Sequence, residues 1–318
     1  MLHKHPFEVV VVGSLNMDLV VRVERFPQAG ETISGQSFAT FLGGKGYNQA
    51  LAAARAGSRV AMAGKLGQDA FGDQFIEALK ESGMDSHHVT RAEDVATGIA
   101  NIVVEPDGAN RIIVVPGANG TLSAADVEAA GAVFQGAKIL LLQLETPLDS
   151  AIAVARLARA AGAKVLLTPA PVPAQPLPAE LLQQVDILIP NEVEVFQLAG
   201  MSPAPVSDGE LPEAAPAHYL LDQGVQAVLV TLGGRGAAYF NHGKDPHHSP
   251  GFEVEVVDTT AAGDAFTGAL ATALAKGEPI EQAIRQANAG GALATTRPGA
   301  GASLPTVQEI AAFLSSYL

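Results

Sequence analysis

The segment Asp258-Thr-Thr260-Ala261-Ala262-Gly263-Asp264-Ala-Phe266 sets two carboxylates around a run of small residues. Phe266, Leu270 and Leu274 then recur every four residues, and Gly277 follows as a helix stop. The helix therefore starts at Ala261, Ala262 and Gly263. Backbone N–H groups at a helix start lack intrahelical acceptors and attract anions, and side chains this small let a phosphate come close. Asp264, in the same turn, can accept a proton from a group attacking that phosphate. Taken alone, the segment also fits an ordinary helix start whose acidic residue suits the dipole.

Other chemical residues stand at the ends of apolar runs. Residues 8–13 lead into Ser14-Leu-Asn16-Met-Asp18, and 139–144 end at Glu145. Residues 186–189 end at Pro190-Asn191, and 227–230 end at Thr231-Leu232-Gly233-Gly234-Arg235-Gly236. In an open parallel sheet the ligand site lies outside the carboxyl ends of the strands, so these residues are expected on one edge. Each alone also fits a turn that closes a strand; four such ends in one chain argue for a site.

A second Gly-rich stretch, Gly43-Gly44-Lys45-Gly46-Tyr47-Asn48, opens a helix that ends at Gly57. Its glycines are expected to let a ligand approach the backbone, with Lys45 as a cation and Asn48 as donor and acceptor. It does not match G-x-x-x-x-G-K-[ST], and no G-x-G-x-x-G follows an apolar run, which argues against a dinucleotide oxidoreductase. Tyr47 lies about 100° round the helix from Asn48 and is expected to pack in the core or at its rim.

Elements must hold these residues in place. Short apolar runs alternate with helical patterns, the signature of βαβ units around a mostly parallel sheet. Strands are expected at 8–14, 60–63, 139–144, 165–168, 186–189 and 227–231, and helices at 46–56, 70–82, 149–161, 192–198, 213–223, 263–276, 279–296 and 306–317. Two regions break the rhythm. Residues 19–41 alternate and carry turns at Pro27, Gly30 and Gly35, and 97–115 read as a hairpin turning at Glu105-Pro-Asp-Gly108. Both suggest a small antiparallel sheet, either a lid over a site or an edge extension of the main sheet. Residues 204–216 read as a surface loop, and the histidines at 3, 5, 87, 88, 242, 247 and 248 as solvated loop residues.

The 318 residues include no cysteine, which excludes disulfides, thiolate zinc sites and thiol nucleophiles. A net charge of −14 argues against bulk nucleic-acid binding but not against a small phosphate held locally. The longest uncharged stretch, 165–179, carries five prolines, so no membrane span is expected. The start of the chain makes a poor signal peptide. A soluble, cytoplasmic protein is the expectation.

Together these residues resemble the ribokinase branch of the PfkB carbohydrate kinases. The likeness runs over nearly the whole chain: GSLNMD at 13–18, GGKGYNQA at 43–50, PGAN at 116–119, QLETP at 143–147, PAP at 169–171, PNEVE at 190–194, TLGGRG at 231–236, DTTAAGDAF at 258–266 and TRPGAGASLP at 296–305. The resemblance implies a doubly wound α/β fold, with a mostly parallel central sheet flanked by helices and a small β-sheet lid. It implies one kinase domain over 1–318 with the lid at about 19–41 and 97–115.

The implied reaction is transfer from ATP, with Mg2+, to the 5-hydroxyl of D-ribose, giving ribose 5-phosphate; K+ is the implied monovalent activator. Another kinase of the family, acting on deoxyribose, a nucleoside or another sugar, is the alternative. Matched position by position, Asp264 would be the base and the backbone of Ala261, Ala262 and Gly263 the anion hole. Asn16, Asp18, Gly44, Lys45, Asn48 and Glu145 would hold the sugar. Asn191, Thr231, Leu232, Gly233, Gly234, Arg235, Gly236, Gly263 and Asn288 would border the nucleotide, with Asn191 and Glu194 linked to magnesium. Asp258, Ser303 and the carbonyls of Thr260, Ala294, Arg297 and Gly299 would hold the monovalent cation. A homodimer through the lid sheets is also implied. Three departures stand out: Tyr47 where a small residue is common, Asn288 where some relatives have His, and a loop at 241–250 a few residues longer than usual.

Overall fold

A computed structural model describes residues 7–203 and 211–317. Four consecutive valines, Val9–Val12, form β1 at the heart of the main sheet. Val9 and Val11 pack on one face with Met62, Phe75, Leu270 and Ile284. Val10 and Val12 pack on the other with Leu140, Val154, Ala155 and Leu220. A strand apolar on both faces needs helices on both, and the sequence supplies them. Lys45–Arg55, Ala70–Glu81, Ala262–Ala275 and Ile280–Thr295 cover the first face; Leu148–Ala160 and Ala214–Asp222 cover the second.

The remaining strands are β2 (Asn16–Arg22), β3 (Ser37–Gly43), β4 (Val60–Gly67), β5 (Asp85–Ala92), β6 (Gly98–Val104), β7 (Asn110–Val115), β8 (Ile139–Leu142), β9 (Lys164–Leu167), β10 (Ile187–Leu188), β11 (Ala227–Thr231), β12 (Ala237–Asn241) and β13 (His247–Ser249). The main sheet runs β13-β12-β11-β10-β9-β8-β1-β4-β5, and β12 alone is reversed, antiparallel to both β11 and β13. From β1 the chain winds through β4 to β5 on one side, while β8 to β11 extend on the other. Strand order therefore reverses between β1 and β8 and leaves a crevice at their carboxyl ends. The doubly wound fold is as expected.

The second sheet runs β3-β2-β6-β7. It differs from the expected antiparallel sheet in its central pair, because β2 and β6 run parallel with Asn16 opposite Gly98. It also begins earlier than position 19, so Asn16 and Asp18 lie on β2 itself. The β6–β7 hairpin turns where expected, with Gly108 at φ 88°.

Other differences are local. The helix expected from 192 begins at Glu194, because the Asn191 side chain first closes a turn. His87 and His88 lie on β5 rather than in a loop, and His247 and His248 form part of β13. The 241–250 segment is thus mostly a hairpin onto β12. Within 204–216, residues 204–210 lie outside the described residues, as do His3 and His5, and Ala214 already begins a helix. Among the described residues, no helix is long and apolar enough to cross a membrane.

Candidate active site

The crevice between β1 and β8 is built by close backbone contact. Gly44 has φ 88°, and a Cβ there would lie 2.7 Å from Asn16 N. A Cβ on Gly46 would lie 2.5 Å from Ser14 N. These glycines were expected to admit a ligand to the backbone; what approaches them is the chain's own Ser14–Asn16 segment. A Cβ on Gly43 would likewise overlap the Asp18 carboxylate. The helix Lys45–Arg55 consequently starts against residues 14 and 145. Glu145 Oε2 accepts the Lys45 N–H at 3.1 Å and the Ser14 hydroxyl, and Ser14 Oγ accepts the Gly46 N–H at 3.3 Å. A carboxylate at a helix start suits both the free donors and the dipole.

Asn119, from the PGAN motif, aligns the neighbouring segment. Its side chain bonds both backbone groups of Leu15 and donates to Asn16 Oδ1 at 2.8 Å, so the Asn16 amide nitrogen is left as a donor. Asp18 stands beside these groups. Burial first, then the charges of Glu145 and Asp264, push its carboxyl up to about 7. The helix also carries Tyr47 into the core, edge-on to Phe75, as expected.

Asp264 is approached from the opposite side. Ala261 is the one non-glycine with positive φ, 60°, among the described residues. This backbone is costly for a side-chain-bearing residue and turns the 258–260 segment sharply into the helix Ala262–Ala275. Of the amides expected to form the cradle, Ala262 N–H is already bonded to Thr259 O at 3.2 Å. Among the described residues, no acceptor meets the N–H of Gly263 or Asp264. The Asp264 carboxylate accepts from Asn48 Nδ2 at 3.2 Å and Gln49 Nε2 at 3.0 Å. Burial pushes Asp264 up to about 6, while Lys45 and the two amides pull against it. Asn48 Oδ1 is buried without a partner.

Two cavities meet at this turn. The smaller, about 160 Å³, is lined by Lys45, Asn191, Glu194, Gly263 and Asp264 among others. The larger, about 630 Å³, runs past Gly233, Gly234, Gly236, Phe252, Val256 and Asn288. Both are bordered by Thr231, Thr259, Ala262 and Gly263. Asn288 donates to Ser249 and Pro250, fixing the strap that walls the larger cavity. Asn191 Oδ1 accepts the N–H groups of Val193 and Glu194, and Glu194 Oε2 accepts the Asn191 N–H at 2.8 Å. Burial pushes the Glu194 carboxyl up, and its Oε1 makes no hydrogen bond among the described residues.

Two residues of the 231–236 loop lie elsewhere. Leu232 is buried in the core beneath the sheet, and the Arg235 guanidinium is held between Glu192 and Glu213 at 2.9 and 2.8 Å.

Behind the turn, Asp258 accepts from Thr260 N and Oγ1 and from Gly299 N. Partial burial pushes its carboxyl up, but these hydrogen bonds win and hold it below its ordinary value. Pro298 stands four residues after Ala294 and has no N–H, so the Ala294 carbonyl loses its helical partner. The carbonyls of Thr260, Arg297 and Gly299 also accept no hydrogen bond from a described residue. Ser303 is fully buried, its hydroxyl donating to Ala300 O. Unpaired carbonyls beside a carboxylate form an oxygen-rich set that suits a hard cation.

Gln49 and Gln143 were not singled out by sequence. Gln49 follows the noted Asn48 and reads as an ordinary helix residue. Gln143 lies two positions before Glu145 at the end of β8, and that strand-end position was the available signal.

The fold and this site are those of a carbohydrate kinase. A family model described as pfkB family carbohydrate kinase matches residues 7–307, and the chain belongs to that family. The ribokinase of Haemophilus influenzae is 40% identical over 306 residues, spanning 96% of this chain and 98% of that protein. A structure of Arabidopsis thaliana ribokinase complexed with ribose and ATP matches with a TM-score of 0.89 at 36% identity, covering 97% of this chain and 99% of that one. A deoxyribokinase of Salmonella typhi is 33% identical over 308 residues, spanning 97% of this chain and 99% of that protein.

Proposed function

We propose that this chain transfers the γ-phosphoryl of ATP to the 5-hydroxyl of D-ribose, giving ribose 5-phosphate. One observation carries the reading: a half-buried carboxylate, Asp264, and the amides of Gly263 and Asp264, unpaired among the described residues, share the rim where the two cavities meet. The ribokinases similar to this chain over nearly their whole length support ribose as the sugar.

The nucleotide lies in the larger cavity, its terminal phosphate at the helix start. The sugar lies in the β1–β8 crevice. Asn16 donates through its free amide nitrogen, Asp18 accepts from adjacent hydroxyls, and the unpartnered Asn48 Oδ1 accepts a third. The 5-hydroxyl then faces Asp264. Its oxygen forms a bond to the γ-phosphorus, the bond to the bridging oxygen of ADP breaks, and the proton passes to Asp264. A carboxylate is too weak to ionise a free alcohol, so the proton moves late, as the new P–O bond acidifies the hydroxyl. The Gly263 and Asp264 amides, fixed before reaction, stabilise charge on the moving phosphoryl oxygens.

Mg2+ would neutralise charge on the nucleotide phosphates, and Glu194 with its unpaired Oε1, beside Asn191, would hold it. Asp258, Ser303 and the carbonyls of Thr260, Ala294, Arg297 and Gly299 would hold K+. Its role would be to steady the turn that carries Ala261. The small sheet acts as a lid that excludes water, and pairs with a second copy in a homodimer. The cytoplasm is the proposed compartment.

The test is ADP production with a panel of sugars and nucleosides, followed by identification of the phosphorylated carbon. Ribose modified at its 5-oxygen is the expected outcome. A stronger response to deoxyribose would move the assignment to the activity named for the Salmonella typhi relative.

A further inference from the structure

Two amides hold the Asp264 carboxylate, and only one of them is anchored from behind. Gln49 is fully buried, and its Nε2 lies 3.0 Å from Asp264 Oδ1 and 3.3 Å from Thr168 Oγ1. Its Oε1 accepts from Gln143 Nε2 at 2.6 Å. An ionised carboxylate only accepts hydrogen bonds, so Gln49 must present its nitrogen to Asp264. Its oxygen then faces Gln143, which must present nitrogen in turn. The chain Gln143 to Gln49 to Asp264 has one permitted direction, and aligned amides polarise one another.

The far end of this chain, Gln143 Oε1, is buried without a partner. A buried orphan acceptor costs free energy, and such groups in a native structure call for an explanation. Gly13 makes room for it, since a Cβ there would lie 2.0 Å from Gln143 Oε1. The surroundings explain why a donor is needed. Asp264 faces Glu145 from the end of β8, and its charge acts on Asp18 of the small sheet; Lys45 opposes them. Burial and the Glu145 carboxylate drive a proton onto Asp264, and Lys45 and the amide donors oppose it.

We propose that Gln49, oriented by Gln143, is the positioning residue that keeps Asp264 ionised and aimed during turnover. This rests on the reading of Asp264 as the base. Asn48 belongs to the sugar pocket and has no such anchor; Gln49 lies behind the carboxylate, away from both cavities.

The test is the pH profile of kcat with ribose and ATP. Gln49→Met removes the donor at similar volume. It is expected to lower kcat about 10- to 100-fold and to move the acid limb up by about one pH unit. KM for ribose should stay within about threefold of the parent value. Gln143→Met leaves Gln49 free to turn over and should move the limb the same way by less. An acid limb that stays in place in Gln49→Met overturns the proposal. Should Gln49→Met fail to fold, an acid limb that stays in place in Gln143→Met overturns it equally. Asp264→Asn separates the two claims. Near-normal turnover there overturns the base and the positioning role of Gln49 together, whereas an inactive Asp264→Asn with an unmoved Gln49→Met limb overturns the positioning role alone.

Discussion

Asp264 and Asp18 are two half-buried carboxylates with different work. Asp264 needs its charge at the moment of transfer, and Asp264→Asn should cut turnover by about 10²- to 10⁴-fold. Isothermal titration with ATP should still detect binding, because the amides of the helix start remain. Asp18 carries its cost in the folded state. Its carboxyl sits at about 7, above the ordinary 3.8. A raised carboxyl favours folding most below the unfolded value and loses that advantage as pH climbs through the folded one. Asp18→Asn should therefore be more stable than the parent at pH 8 by about 1–3 kcal/mol, with the gap closing near pH 4. Denaturant titrations at both values measure this. The same variant should bind ribose more weakly, so the stability it gains is the charge the sugar pocket uses.

At the scale of elements, the site depends on how tightly the helix Lys45–Arg55 sits against the β1–β2 connection. Gly44→Ala adds a Cβ at 2.7 Å from Asn16 N on a backbone of φ 88°. It should cost about 1–3 kcal/mol in urea unfolding and weaken ribose binding by displacing Asn16. Much of this geometry was legible beforehand. The apolar runs within 8–14, 139–144 and 227–231 announced buried parallel strands, and the polar residues closing them announced one edge. What escaped was pairing at a distance. β2 and β6 are partners separated in sequence by β3, β4 and β5, and local alternation says that a strand exists, not beside what. β5, with burial that does not alternate cleanly, and the three-residue β13 lack the apolar runs that mark central strands. Gln49 and Gln143 escaped for a similar reason, because their meaning arises only when two distant segments meet behind Asp264.

At the scale of the whole molecule, the small sheet leaves Phe38, Ile112, Ile113 and Val115 largely exposed. A homodimer would cover them. Ile113→Lys should then convert a dimer to a monomer in sedimentation velocity, and a parent protein that is already monomeric would remove the dimer. Replacing K+ by choline should lower kcat if the unpaired carbonyls at 260, 294, 297 and 299 hold a cation that steadies the catalytic turn; equal rates in both salts would discard that site. The most direct measurement is a crystal structure with ribose and a non-hydrolysable ATP analogue. The expected result is the terminal phosphate on the Gly263 and Asp264 amides, with the ribose 5-hydroxyl between that phosphate and the Asp264 carboxylate. A phosphate bound away from this helix start, or a sugar whose 5-hydroxyl faces another residue, would contradict the central claim.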